Sequence, residues 1–213
     1  MSVSVPNGSI VAIEASSAAP VAVTGISNAN PAVVTAAGHG LSTGDFVELV
    51  SGWSRLTNKI FRVTMLTTST FSLDGVDTTL TSIYPAGSGG GTVAKILTWT
   101  QLSQILSSSS SGGEQQFTEF QFLESDSQKR IPTTKSAAGL TFSIADDPTL
   151  PGYILASTAN DDRLPRAMRV TLPSNSLILY NGYISLNKTP SLSVNEVMAV
   201  ELTLSMLAEP VRY

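Results

Sequence analysis

The stretch from Arg166 to Leu207 constrains this chain most. It begins Arg166-Ala-Met-Arg-Val-Thr-Leu-Pro-Ser-Asn-Ser-Leu-Ile-Leu-Tyr-Asn-Gly-Tyr-Ile-Ser-Leu. After a short interruption it continues Val194-Asn-Glu-Val-Met-Ala-Val-Glu-Leu-Thr-Leu-Ser-Met-Leu207. Apolar and polar residues alternate with a period of two, and Pro173-Ser-Asn-Ser176 supplies a turn, so the stretch predicts three strands in succession. In the last of them, expected over Ser193–Leu207, Val194, Met198, Val200, Leu202, Leu204 and Met206 share one side. Asn195, Glu201, Thr203 and Ser205 share the other. Such strands build a surface over a core, and none of their residues has the makings of a catalytic centre.

The same alternation recurs upstream. Phe120 and Phe122 oppose Glu119 and Gln121; Leu140, Phe142 and Ile144 oppose Thr141 and Ser143; Met168, Val170 and Leu172 oppose Arg169 and Thr171. Further strands are expected near Gly8–Ala15, Val93–Leu106, Gln115–Leu123 and Gly139–Ala145. Helical periodicity is nearly absent. One short helix is expected after Asp146-Asp-Pro-Thr-Leu-Pro, with Asp146 or Asp147 as its cap, ending near Asn160. The fold class is therefore all-β with one short helix, an antiparallel β-sandwich or open barrel.

Two low-complexity runs punctuate the chain. Gly87-Ser-Gly-Gly-Gly91 reads as a flexible hinge and Ser107–Gly113 as a polar loop. Before the hinge, short strands at Ala32–Ala36, Phe46–Val50, Ile60–Leu66 and Thr70–Leu73 are separated by Gly- and Ser-rich turns. Residues 24–92 are thus expected to form a small β-barrel inserted into a larger domain of residues 1–23 and 93–213.

Charged residues make up only 13% of the 213, about half the usual share. The surface must be Ser, Thr, Asn and Gly, which suits burial against other copies. A net charge of −4 opposes a grip on nucleic acid, which needs clustered cations. With no cysteine, disulfide frameworks and thiolate sites are excluded. No apolar run approaches the ~20 residues of a membrane helix. Met1-Ser-Val-Ser-Val-Pro6 lacks the basic and apolar regions of a signal peptide, so no export by that route is expected.

Candidate chemistry is thin. The single histidine, His39, lies between two glycines, with Asp45 nearby. It reads as a turn residue held by backbone groups, or as the centre of a hydrolase. The glycine run is not followed by the Lys-Ser/Thr of a phosphate loop. Asp146-Asp147 and Asp161-Asp162 read as a helix cap and a solvated loop, or as paired acids for Ca²⁺ or acid–base work. Trp53 and Trp99 read as packing residues, or as a platform in a carbohydrate- or receptor-binding surface module. No catalytic residue, cofactor or metal site is assigned.

The pattern Arg166-Ala-Met-Arg-Val-Thr-Leu-Pro-Ser-Asn…Leu-Tyr-Asn-Gly-Tyr-Ile-Ser…Val-Asn-Glu-Val-Met-Ala-Val-Glu-Leu-Thr-Leu resembles the C-terminal half of tail tube proteins of long-tailed, siphovirus-type bacteriophages. Glu119-Phe-Gln-Phe-Leu-Glu-Ser-Asp-Ser-Gln-Lys-Arg-Ile-Pro-Thr-Thr-Lys followed by Gly-Leu-Thr-Phe-Ser-Ile is similar to that family's strand, long loop and returning strand. Asn30-Pro-Ala-Val-Val-Thr-Ala-Ala-Gly-His-Gly-Leu-Ser-Thr-Gly-Asp-Phe-Val resembles small β modules of phage tail proteins.

The resemblance implies a structural virion protein without enzymatic activity. It implies hexameric rings stacked into a tube through which DNA passes, assembled in the host cytoplasm with tape measure, tail terminator and distal tail proteins as partners and no membrane. It assigns Glu119, Gln121, Thr141, Ser143, Glu201, Thr203 and Ser205 to the channel wall. It assigns Lys129, Arg130 and Lys135, in a loop over residues 124–138, to contacts with the next ring, where Asp161 and Asp162 would receive them. Arg169 shares the polar phase, so a neighbouring carboxylate is expected to neutralise it. Residues 24–92 would face outward as decoration.

Overall fold

The computed structural model describes residues 7–192 and 194–213; the N-terminal reading at Met1–Pro6 and the expected strand start at Ser193 lie outside them. The chain is all-β with one helix. It opens with β1 (Ile10–Ser17), β2 (Val21–Val23), β3 (Gly25–Ile26), β4 (Val33–Thr35), β5 (Phe46–Ser51), β6 (Lys59–Met65) and β7 (Thr70–Leu73). Then follow β8 (Gly91–Leu102), β9 (Ile105–Ser111), β10 (Gln115–Phe120) and β11 (Lys129–Lys135). The chain closes with β12 (Gly139–Ala145), α1 (Pro151–Asp162), β13 (Pro165–Thr171), β14 (Leu177–Ser191), β15 (Ala199–Met206) and β16 (Val211–Arg212).

One antiparallel sheet runs β3-β4-β7-β6-β5-β8-β1-β13-β14-β15-β12-β9, curled into an open half-barrel, with β2 also on β8 and β16 on β14. The strands β10 and β11 pair only with each other. The long strand β8 makes the sheet continuous. Its first half pairs with β5 (Val47↔Lys95, Leu49↔Val93) and its second half with β1 (Val11↔Leu102, Ile13↔Thr100). A bulge at Glu14–Ser17 lets β1 follow the bend.

Burial divides into three clusters. Residues 23–93 close around Val34, Val47, Leu49, Val63, Phe71 and Leu73. The second cluster lies between the sheet and α1: Phe142, Ile144, Val200, Leu202 and Leu204 on the sheet, Tyr153, Ala156 and Ala159 on the helix. The helix lies close on β8 because residue 152 is glycine; a Cβ there would sit 2.4 Å from the Gln101 carbonyl oxygen. The third cluster joins the other two. Ile60, Ile96, Ala167 and Leu179 pack there with Phe46, Trp99 and Tyr213.

Several expectations are corrected. The serines of 107–111 form strand β9 on β12 rather than a loop, and the strand expected over Val93–Leu106 breaks in two at Gln104, which takes a left-handed conformation (φ 58°). Uniform serine carries no alternation to read. The loop expected over 124–138 contains strand β11; Ile131-Pro-Thr-Thr has no buried face, so it shows no period. The last strand begins at Ala199, and Val194 and Met198 are exposed, because they precede the sheet and have no core beneath them.

Neither aspartate caps α1. Its N-cap is Leu150, with Pro151 in the first turn, while Asp147 turns back to accept from the Thr149 amide and hydroxyl. The helix runs on to Asp162, where Arg163 (φ 56°) closes it. The glycine run is pinned rather than hinged. Gly90 accepts from the Gly52 amide at 2.9 Å, and a Cβ on Gly91 would meet the Val50 oxygen at 2.0 Å.

Candidate functional site

The sheet face opposite α1 is the candidate site. Directly paired residues of an antiparallel sheet point to the same side, so the register places the polar phase of β9, β12, β15 and β14 in rows. Ser109, Thr141, Thr203 and Ser185 form one row. Ser107, Ser143, Glu201 and Asn187 form the next, and Ser111, Gly139, Ser205 and Tyr183 a third. The other phase of β12, β14 and β15 supplies the buried Phe142, Ile144, Ile184, Leu186, Leu202 and Leu204. The face is thus backed by a packed core.

Chemically, the face is made of hydroxyls and one amide, with Glu201 its sole formal charge. Thr141 and Thr203 approach to 3.3 Å between hydroxyl oxygens. Hydroxyls can be satisfied by one another or by water, so the face needs no cation and offers none to a phosphate. Among the described residues no cluster of three or more His, Asp or Glu side chains is placed to hold a metal ion, and no helix is long and apolar enough to cross a membrane.

Thr141, Ser143, Glu201, Thr203 and Ser205 come together as expected. Glu119 and Gln121 do not join them. Glu119 lies on β10, paired to Arg130 of β11 at 2.5 Å, and Gln121 lies past the strand end, donating to the Ser125 carbonyl at 2.6 Å. Alternation alone could not tell that β10 leaves the sheet. Ser107, Ser109, Ser111, Ser185 and Asn187 were missed. The phase of Ile184 and Leu186 pointed to Ser185 and Asn187; nothing in the serine run pointed to β9.

The three cations also sit differently. Lys129, Arg130 and Lys135 are on strand β11, and Lys135 forms an ion pair with Glu209. Asp161 and Asp162 are engaged within the subunit, by Lys188 at 3.1 Å and Arg166 at 2.6 Å. The Asn160 side chain first and then Lys188 hold the Asp161 carboxyl below its usual value, and the Leu164 amide first and then Arg166 hold that of Asp162.

Among the described residues no carboxylate pairs with Arg169. Its guanidinium lies 4.9 Å from the centre of the Trp99 ring and 5.5 Å from that of Phe46, and burial lowers its pKa. Phe46 of β5 and Trp99 of β8 thus put aromatic rings where water would otherwise meet this end of the sheet face. His39 is buried, its Nε2 3.0 Å from the Thr67 carbonyl oxygen and its Nδ1 accepting from the Leu41 amide at 3.0 Å. Both nitrogens are occupied by backbone, which leaves none for hydrolysis. Trp53 is 2% exposed and its indole N–H donates to the Pro85 carbonyl and the Ser88 hydroxyl, so it is no ligand platform.

A family model described as phage tail tube protein, TTP, matches residues 51–213. The chain belongs to the phage tail tube protein family. The match covers all of β8 to β16, and it begins inside the block of residues 24–92. As a tail tube family member, the chain is a structural component of the virion tail. No curated protein matches it in sequence. Among solved structures it is similar to a chain of the cryo-EM structure of the anti-feeding prophage cap (AFP tube terminating cap), with 17% identity, a TM-score of 0.35, and coverage of 49% of this chain and 78% of that chain.

Proposed function

We propose that this tail tube protein assembles into hexameric rings that stack into the hollow tube of a siphovirus-type tail, and that the hydroxyl rows line the bore through which DNA passes. The rows carry the reading: four strands present Ser, Thr, Asn and Gly, with one tyrosine, Tyr183, a single carboxylate and no cation. A polyanion moving through a bore is slowed by each lysine or arginine that displaces its counterions, and this face has none. The strand β9 ends the sheet with an open edge, and ring closure removes such edges by pairing them with a neighbour.

In this reading residues 24–92 are an inserted unit with its own core, set outside the bore. The unit covers the Leu179–Asn181 end of the same face, next to the bare rows. Partners are other copies and the tape measure, terminator and distal tail proteins. No catalytic step is assigned. Negative-stain microscopy of the concentrated protein tests the reading: stacked rings with a stain-filled centre are expected, and a protein that stays monomeric under all assembly conditions overturns it.

A further inference from the structure

A cleft of about 700 Å³ lies between the turn before β6 and the C-terminal residues 207–212. That volume is in the range of small-molecule sites, about 300–1,000 Å³. Four of the chain's 12 cations line it: Arg55, Lys59, Lys135 and Arg212. Two carboxylates face them, Asp77 and Glu209. Positive charge is thus in excess by two, in a chain whose net charge is −4. Asp77 is already occupied, by the Asn30 side chain and by the Thr79 amide and hydroxyl. Glu209 is ion-paired with Lys135. Arg55, Lys59 and Arg212 make no ion pair among the described residues.

The cations crowd around a single carboxylate. The Lys135 contact first, with Lys59 and Arg55 adding to it, holds the Glu209 carboxyl below its usual value. Burial first, and then the like charges of Arg55 and Lys135, lower the pKa of the Lys59 ammonium against the pull of Glu209. One carboxylate therefore serves three cations and satisfies one of them. The turn that carries Arg55 and Lys59 is fixed in place. The Leu56 and Thr57 amides donate to the Trp53 carbonyl at 2.9 and 3.1 Å. Asn58 takes a left-handed conformation (φ 58°), and its carbonyl accepts from the buried Asn181. The cleft also has an apolar lining, the buried Leu56 and Phe61 and the half-buried Val211.

The missing partner is an anion of higher charge than a carboxylate. A phosphate monoester carries close to two negative charges at neutral pH, which matches the excess. Its oxygens accept from guanidinium forks in pairs, and a monoester brings an organic body for the apolar lining. We propose that this cleft binds a small phosphate monoester, its dianionic group among Arg55, Lys59 and Arg212 and its apolar body against Leu56, Phe61 and Val211. Bound there, the ester joins the turn before β6 to the C-terminal segment. The site is independent of the tube reading, since every residue in it comes from one chain.

Isothermal titration calorimetry of the full-length chain at fixed ionic strength and neutral pH tests this, with phenyl phosphate as the probe. One saturable site per chain is expected. Inorganic phosphate, which lacks the ring, and methyl phenyl phosphate, a diester with a single charge like a nucleic-acid linkage, should each bind at least about tenfold more weakly, a difference of ~1.4 kcal/mol. Arg55→Gln combined with Lys59→Met should weaken phenyl phosphate at least about tenfold. Glu209→Gln removes the competing carboxylate and frees Lys135, so it should tighten binding about threefold, an outcome that damage to the fold would not produce. Lys129→Gln, an exposed cation outside the cleft, should change nothing. Absence of saturation with phenyl phosphate, or weaker binding in Glu209→Gln, overturns the site. Equal affinity for the monoester and the diester overturns the dianion, and equal affinity for phenyl phosphate and inorganic phosphate overturns the apolar half. A loss in Lys129→Gln as large as in the cleft variants reduces the binding to general charge attraction and overturns the proposal.

Discussion

Asn181 donates its side-chain N–H to Glu48 at 2.7 Å and to the Asn58 carbonyl oxygen at 3.1 Å, tying the middle of β14 to β5 and to the turn before β6. Asn181 is buried, and its two acceptors are half-buried. Asn181→Leu removes a donor from both, and should lower stability by about 1–2 kcal/mol. The urea midpoint at neutral pH measures this; a change within about 0.5 kcal/mol, as for an ordinary surface site, would show that the junction carries no weight.

Glu48 gives the same junction a pH signature. Burial pushes its carboxyl above the usual value of 4.5, with the nearby Glu14 adding to the rise and the Asn181 hydrogen bond opposing it. The folded chain thus holds this proton more tightly than the unfolded chain. The stabilising contribution is complete below the unfolded value and is lost as pH rises through the raised folded value. Glu48→Gln keeps the acceptor oxygen and removes the titration. Its stability relative to the unmodified protein should improve between about pH 4 and pH 7. A difference that stays flat or moves the other way contradicts the assignment.

Arg169 is stabilised by rings rather than by a carboxylate. Replacing it with methionine keeps most of the apolar contact and removes the cation, and should cost about 1 kcal/mol. Arg169→Lys should recover part of that, since an ammonium keeps the charge over the rings but not the guanidinium's broad planar contact. Chemical denaturation followed by tryptophan fluorescence reports both. Full stability in Arg169→Met would mean that the aromatic stacking contributes nothing.

The polar face makes a functional prediction. Thr203→Lys adds a cation to the centre of the rows without touching the core, so rings and tubes should form as before. DNA passage should slow, because each lysine that neutralises a phosphate must release it again. Measuring genome ejection from particles carrying the variant tests this. Ejection at the unmodified rate would argue that Thr203 lies away from the path.

Much of this was legible in the residues. The turn at Pro173–Ser176, the register of β13 and β14 and the two faces of β12 and β15 follow from alternation over a one-sided core. What failed did so for physical reasons. Strand β9 is serine from 107 to 111 and gains its identity from β12, a partner distant in sequence. Strand β11 has no core beneath it, so no period marks it. Arg169 carries the polar phase of a sheet face that another unit covers, and alternation cannot report what sits on top. Glu119 and Gln121 share the right phase but belong to a hairpin that leaves the sheet.

Electron cryomicroscopy of assemblies formed from the purified chain tests the proposed channel most directly. The expected map is a hollow tube with Thr141, Ser143, Glu201, Thr203 and Ser205 facing the bore and residues 24–92 outside it. A tube that carries those five side chains on its outer surface, or buries them between subunits, would contradict the assignment of this face to the channel.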